Sequence, residues 1–421
     1  MTVQETINYI ESFTWSKTRL GLERTRILLE KVGNPQKKLK FVHVAGTNGK
    51  GSTCAMLASV LQCAGYTTGL FTSPHILRFN ERIQVNGCAI TDEELACAAE
   101  DVIAAAESMD DHPSQFELTT AIGMVYFLQK KCDIVVLEVG MGGDLDSTNV
   151  IDSPECSVLC TISLEHTEYL GDTLEKIAAI KAGIIKPHCP VVCYPNCEEV
   201  EKVFVQTAEK NASPLYFADF DSIRPLSDTL TEQFFSWREY ESLRLPLLGA
   251  HQLKNAAVVL ETLKVLQDRG WKISDNNIRS GLASVHWPVR FEVLRQNPPV
   301  IVDGAHNPQC AEALAEALGR YLPGKQSIFL MGVLADKDYG EILDILRPCA
   351  GSFVCITPVS SRALDAKDLS AYLRSLGEEA ESCESIEEGV ERALSAGRPV
   401  VACGSLYMAG FAAELLRKKI K

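Results

Sequence analysis

Short apolar runs rich in β-branched residues, at 41–46, 67–73, 132–140, 156–163 and 190–194, alternate with helix-patterned stretches at 92–107, 117–131 and 173–184. Strands separated by whole helices do not pair as hairpins. Each connection has to cross over the sheet, so the strands run mainly parallel with helices on both faces. Ligands of such sheets bind beyond the C-terminal strand ends, and the polar motifs of this chain fall at or just past those ends. The stretch 215–250 mixes polar and aromatic residues and predicts a hairpin or irregular excursion before a helix at 253–268. Around 284–299, Trp287, Pro288, Asn297, Pro298 and Pro299 suggest a linker. A second alternation follows, at 299–305, 326–334, 352–359 and 398–405. A chain of 421 residues exceeds one ordinary core, and the expected division is 1–288, a linker over 289–297, and a smaller domain over 298–421.

The first apolar run leads directly into HVAGTNGKGST at 43–53, and the helix-like CAMLASVLQCAG follows. Strand, glycine loop and helix in that order make a phosphate cradle. Gly46, Gly49 and Gly51 allow a tight turn that aims N–H groups at an anion, and the helix adds its positive N-terminal end. Lys50 can neutralise outer phosphates, and Ser52 or Thr53 can reach a phosphate or its metal. The loop departs from G-x-x-x-x-G-K-[ST] at Val44 and Gly51. The expected fold class is therefore α/β: a P-loop parallel-sheet ATPase domain, then a smaller Rossmann-like α/β domain.

A net charge of −14 argues against a nucleic-acid partner, which favours a basic face. The basic residues near the start (Lys17, Arg19, Arg24, Arg26, Lys31, Lys37, Lys38, Lys40) form a solvated face or steer anionic substrates. The first fifteen residues lack a basic region followed by an apolar one, so no secretory signal is expected. No apolar stretch approaches the roughly 18 residues of a membrane helix. The fifteen cysteines then read as reduced, small hydrophobes of a cytoplasmic protein. Cys189, Cys193 and Cys197 recur every fourth residue, but Pro190 and Pro195 interrupt any shared helix face.

Several side chains at strand ends could carry chemistry. Glu138 closes DIVVLEV beside the phosphate loop, a natural second hold on Mg²⁺, which prefers oxygen ligands. GGDLDSTN follows and gathers Asp144, Asp146, Ser147, Thr148 and Asn149 for a polar ligand. Ser73 ends another strand, and His166, beside Glu165 and Glu168, ends a third. Lys181 lies on KIAAIKAGI; it is either a solvated helix residue or, after CO₂ adds to its neutral amine, an anionic metal ligand. In the second domain, Asp303 and His306 share a strand-to-helix turn as acceptor and base. Ser405 and Tyr407 end the last strand, and Arg290 stands at the linker, able to reach a phosphate.

Taken together, HVAGTNGKGST, FTSPH, RFNERI, FELTTA, LEVGMGGDLDSTN, ISLEHTEYLG, IKAGIIKP, LLGAHQLKNAA, WPVRFEV, VDGAHNP, GVLADKDY and GSLYMAG, in this order from about 17 to 410, closely resemble the folylpolyglutamate synthase family with its dihydrofolate synthase members. The resemblance implies that Gly49, Lys50, Gly51 and Ser52 cradle ATP, with Asn255, Arg290 and Asp303 as further nucleotide contacts. It implies Ser73, Glu138 and His166 as ligands of two magnesium ions, Lys181 as a carbamylated lysine, and K⁺ as a further ion. Phe116, Glu117, Leu145, Asp146 and Ser147 match the pteroate-binding region. Asp303, His306 and Ser405 match the part that binds glutamate and catalyses its transfer. Three positions depart from the family pattern: Asp144 where GGR-x-D has arginine, Val289 where W-P-G-R-F-E has glycine, and Glu165 where aspartate is common.

The implied activity is ATP-dependent addition of L-glutamate to folates, extending tetrahydrofolate and also converting dihydropteroate to dihydrofolate, through an acyl phosphate. Lys50 and magnesium neutralise the transferring phosphoryl, and His306, held by Asp303, readies the incoming amine. Closure about the 284–299 hinge excludes water from the acyl phosphate. The expected partners are ATP, folate or dihydropteroate, and glutamate, with no nucleic acid and no membrane, in a monomer. Two alternatives stay open: a Mur-type ligase acting on a cell-wall nucleotide precursor, and a non-catalytic nucleotide switch. The chain has no [NT]-K-x-D guanine-reading string, which weighs against the switch.

Overall fold

The computed structural model describes residues 2–13, 21–324 and 326–420; Lys17 and Arg19 of the basic cluster, and the start of the family resemblance, lie outside them. Contacts divide the chain into two units. One runs through Ile223 and takes in Lys254–Val285; the other joins Arg224–Leu253 to the residues from His286 onward.

The first unit is built on strands β1 (Phe41–Ala45), β2 (Thr68–Phe71), β3 (Ile83–Val85), β4 (Cys88–Ala89), β5 (Ile134–Glu138), β6 (Cys156–Leu159), β7 (Val191–Cys193) and β8 (Leu215–Phe217). Their order is β4-β3-β2-β5-β1-β6-β7-β8. From β2 to β8 every pair is parallel. Every residue of β1 and β5 is buried, as strands covered on both faces require. The sheet is mainly parallel, as expected, and at its edge β3 and β4 add an antiparallel hairpin onto β2. Asn86 and Gly87 make its turn with φ of 50° and 75°, the Asn-Gly signature of a two-residue hairpin.

Helices lie where the apolar spacing predicts them, at Asp92–Glu107, Gln115–Gln129 and Leu174–Ala182. The first two open with capping boxes, Thr91 with Glu94 and Ser114 with Glu117, so each helix start is set by its own side chains. The helix Lys50–Cys63, which follows the phosphate loop, is covered by the helix Asp275–Ser284. The Ser59 hydroxyl donates to the Gly281 carbonyl at 2.7 Å, and a Cβ on Gly281 would sit 2.4 Å from the Val60 Cα.

The second unit holds β9 (Ile223–Asp228), β10 (Gln233–Trp237) and β11 (Tyr240–Leu245) in one sheet, formed by most of the mixed 215–250 stretch, whose first residues belong to β8; β10 and β11 pair antiparallel. A second sheet has the order β12-β13-β17-β14-β15-β16, from β12 (Glu292–Gln296), β13 (Pro299–Val302), β14 (Ser327–Met331), β15 (Ala350–Cys355), β16 (Ala380–Ser382) and β17 (Val400–Cys403). Residues 289–297, expected as a linker, contain β12, which pairs antiparallel with β13 and opposes Glu292 to Val302. Pro288 before it and Pro298 and Pro299 after it made the segment read as a linker, although the strand itself contains no proline. No helix of the described residues is long and apolar enough to cross a membrane.

Candidate active site

Beyond β1 the chain turns through Gly46, with φ of 151°, and Gly49, with φ of 83°. Both turns need glycine. A Cβ on Gly46 would lie 2.6 Å from the Cys160 Cβ, and one on Gly49 would lie 2.7 Å from the Asn255 Oδ1. The amide of Asn255, buried to 3% exposure, thus lies against the phosphate loop. Lys50 begins the following helix, and its Nζ donates to the Gly46 and Thr47 carbonyls, both at 2.9 Å. Ser52 is buried in the first turn of that helix.

Two strand ends near the loop present the metal candidates. Glu138, the last residue of β5, is buried, and its Oε2 accepts from the Ser73 N–H at 3.0 Å. Glu138 and Ser73 are therefore adjacent, and both offer hard oxygen atoms suited to Mg²⁺. His166 sits at the N-terminal cap of a short helix with φ of 50°; its Nε2 is 3.6 Å from the Glu165 Oε1. Among the described residues no three His, Cys, Asp or Glu side chains gather closely enough to hold a metal by themselves. An ion here would need water, hydroxyl or phosphate oxygens to complete its shell.

Lys181 is buried, and its Nζ donates to the Gly46 carbonyl at 2.9 Å. Burial, reinforced by the charge of Lys50, lowers its pKa to about 7, with Glu165 and Asp146 pulling the other way. A substantial neutral-amine fraction near neutrality follows.

The residues matched to the acceptor region divide by what holds them. The Phe116 ring packs on Gly140, where a Cβ would lie 2.4 Å from the ring Cζ, and edge-on to Phe71 at 6.0 Å. The Glu117 carboxylate is occupied: it accepts from Arg24 Nε at 3.1 Å, Thr25 Oγ1 at 3.2 Å and the Ser114 N–H at 2.7 Å. It acts as a buried hub that fixes the start of its helix and, one residue away, the Phe116 ring. The capping-box spacing Ser114-x-x-Glu117 signalled that role in the sequence. Leu145 is exposed, whereas Asp146 and Ser147 are buried. Asp144 anchors the same loop through its backbone N–H to the Ile180 carbonyl at 2.9 Å, and burial raises its carboxyl pKa.

Sequence reasoning missed His43. It lies fully buried in β1, and its Nε2 is 2.8 Å from the Thr148 Oγ1. Burial, with a contribution from the charge of Lys186, depresses its pKa to about 3. In the unfolded chain the imidazole gains its proton near pH 6.5, but in the folded protein only near pH 3. Between these values the unfolded state binds more protons, so stability falls as pH falls. We therefore expect wild type to lose about 1.4 kcal/mol per pH unit relative to His43→Gln as pH drops from 6.5 towards 4. Urea unfolding of both proteins across that range measures it, and parallel pH dependences would refute it.

In the second unit, Asp303 follows β13 and is half-buried. Its Oδ2 accepts from the Phe291 N–H at 2.7 Å and its Oδ1 from the Ala305 N–H at 2.8 Å. Burial raises its pKa, while Arg290 and the two N–H donors oppose that rise. The expectation that Asp303 holds His306 is not met. The hydrogen bonds of Asp303 go to the backbone, and His306 Nδ1 meets the Gly304 carbonyl at 2.8 Å. The backbone that turns the chain here claims both carboxylate oxygens first. Arg290 is set between two left-handed residues, Val289 at φ 59° and Phe291 at φ 44°. Its Nη1 lies over Gly304, 2.7 Å from where a Cβ would stand. Ser405 stands at the N-cap position of the helix Leu406–Lys419; it is 1% exposed, and its hydroxyl has no hydrogen-bond partner among the described residues.

Comparison with known proteins matches this geometry to one group of enzymes. The Mur ligase middle domain model matches residues 44–263, and the Mur ligase glutamate ligase domain model matches 289–406. The chain is 37% identical to folylpolyglutamate synthase of Lacticaseibacillus casei, across 99% of both chains. It is also 37% identical to dihydrofolate synthase/folylpolyglutamate synthase of Bacillus subtilis, across 98% of this chain and 99% of that one. The chain belongs to the folylpolyglutamate synthase/dihydrofolate synthase family. Membership makes it an ATP-dependent ligase. Among solved structures, Escherichia coli FolC in complex with DHPP and ADP superposes with a TM-score of 0.89 at 30% identity, covering 100% of this chain and 99% of that one. Folylpolyglutamate synthase of Thermotoga maritima gives 0.88 at 35% identity, covering 99% and 97%.

Proposed function

We propose that this protein joins L-glutamate to folates at the expense of ATP, acting on both tetrahydrofolates and dihydropteroate. The observation that supports the reading best is the rim of the first sheet, where the phosphate loop with Lys50 and Asn255 stands beside Glu138, Lys181 and Asp146. Nucleotide, cation and acceptor groups then share one set of strand ends, as doubly covered parallel sheets favour.

In the chemistry we propose, a carboxylate oxygen of the acceptor attacks the γ-phosphorus of ATP and ADP leaves. The loop N–H groups and Lys50 hold the nucleotide in line and offset the charge spread over the transferring phosphoryl. The glutamate amine then attacks the acyl carbonyl, phosphate leaves, and the amine proton passes to a base. His306 is our candidate for that base, oriented by the Gly304 carbonyl. Arg290 and Ser405 are candidate contacts for substrate anions in the same unit. Glu138 and Ser73 would hold Mg²⁺, with His166 as a further ligand of a second ion; the metal supplies electrostatic stabilisation of phosphate charge. Lys181, neutral in part near pH 7, is positioned to take up CO₂ as a carbamate and so become an oxygen ligand. We place the enzyme in the cytoplasm as a monomer.

The test is ATP consumption with Mg²⁺, bicarbonate and L-glutamate. Turnover with dihydropteroate and with tetrahydrofolate is expected. Turnover with tetrahydrofolate alone would remove the dihydrofolate synthase activity, and silence with both acceptors would overturn the reading. Within an active enzyme, His306→Ala retaining normal turnover at saturating glutamate would dismiss His306 as the base.

A further inference from the structure

His43 takes no part in the chemistry above, yet it is linked to the acceptor loop by a buried chain of hydrogen bonds. Its Nε2 is 2.8 Å from Thr148 Oγ1, and that hydroxyl is 2.6 Å from the Asp146 Oδ1. The same Oδ1 accepts the Thr148 N–H at 3.0 Å, and Oδ2 accepts the Met141 N–H at 2.9 Å. All three side chains are buried.

Proton counting fixes the direction of the chain. A threonine hydroxyl has one proton, and the short contact to an acceptor-only carboxylate claims it. Thr148 Oγ1 can then only accept from the histidine, so His43 carries its proton on Nε2. Nδ1 is left bare, in agreement with its having no hydrogen-bond partner among the described residues. The direction therefore runs His43 to Thr148 to Asp146. The ring is carried by β1, the strand that leads into the phosphate loop, while Asp146 caps the short helix Ser147–Val150 in the acceptor loop.

We propose that His43 is a positioning residue for folate binding: by donating through Thr148 it locks the Asp146 carboxylate and the loop that carries Leu145 and Ser147. The inference rests on the reading of that loop as the acceptor site. A histidine serving only to fill space would do as well with an apolar ring or chain. A donor is needed only if the hydroxyl has to be turned towards Asp146.

The variants that separate these cases are His43→Leu, which removes the donor, and His43→Gln, whose side-chain N–H₂ can occupy the Nε2 position. His43→Leu is expected to raise the KM for the folate acceptor about tenfold, with the KM for ATP unchanged within about twofold. His43→Gln should restore the acceptor KM, and Thr148→Val should match His43→Leu without adding to it in the double variant. Equal losses in His43→Gln and His43→Leu, or equal rises in both KM values, would overturn the proposal. A second measurement is independent of turnover. With eight histidines in the chain, ¹⁵N-imidazole spectra of the wild-type protein can assign the His43 tautomer. The Nε2–H form is expected, and the Nδ1–H form would reject the relay even if every variant failed to fold. If wild type does not turn over folates while the Nε2–H form is present and responds to Thr148→Val, the functional reading fails and the relay stands.

Discussion

Replacing Lys50 by methionine lowers kcat for glutamate ligation about a thousandfold, while ADP affinity falls no more than about tenfold. The asymmetry follows from where the ammonium acts. In this structure Nζ rests on the Gly46 and Thr47 carbonyls, so it is held over the loop by neutral acceptors that a phosphoryl oxygen can outbid. A diphosphate is still gathered by the loop N–H groups and the N-terminal end of the helix Lys50–Cys63, neither of which methionine removes. Charge that builds on the transferring phosphoryl has no such substitute, and a positioned cation is most effective where water is excluded. Methionine keeps the apolar stem, so packing is little changed. Single-turnover kinetics with titration calorimetry of ADP makes the comparison; equal losses in both would show that Lys50 is a ground-state anchor.

Asp303→Ala destabilises the second unit by about 1–3 kcal/mol, the range for leaving hydrogen-bond donors without their acceptor. Two backbone donors, Phe291 N–H and Ala305 N–H, lose the carboxylate that accepts from them, and Arg290 loses the nearby negative charge. Unsatisfied buried donors are themselves expensive. Asp303→Asn, which retains one carbonyl oxygen, should fall between wild type and alanine. Denaturant unfolding followed by a probe in the second unit reads the effect. A change below about 1 kcal/mol would mean that water replaces the carboxylate, and would return Asp303 to a purely chemical role.

Much of this molecule is legible in its sequence because its signals are local. Helix Asp92–Glu107 follows from Thr91 and its spacing, and β1 and β5 follow from unbroken apolar runs. The phosphate loop is readable because glycine is needed for two left-handed turns. What escaped depends on contacts across long stretches of chain. Glu117 looks like a ligand contact until Arg24 and Thr25 arrive from some ninety residues upstream. His43 reads as part of a strand until Thr148, 105 residues away, meets it. Asp303 and His306 sit three apart on one turn, and spacing alone could not show that the backbone takes both carboxylate oxygens. The β12 strand was hidden by the prolines that flank it.

The cover on the phosphate-loop helix bears on the order of events during synthesis. Lys50–Cys63 leaves the ribosome early, but the helix that packs on it, Asp275–Ser284, emerges more than two hundred residues later. The intervening Arg224–Leu253 belongs to the other unit. At the usual elongation rate of about 5–20 residues per second, the nascent sheet spends on the order of ten seconds with that face of the nucleotide-binding helix bare. Nucleotide present during translation, by holding the loop at one end of this helix, would steady the half-built unit over that interval.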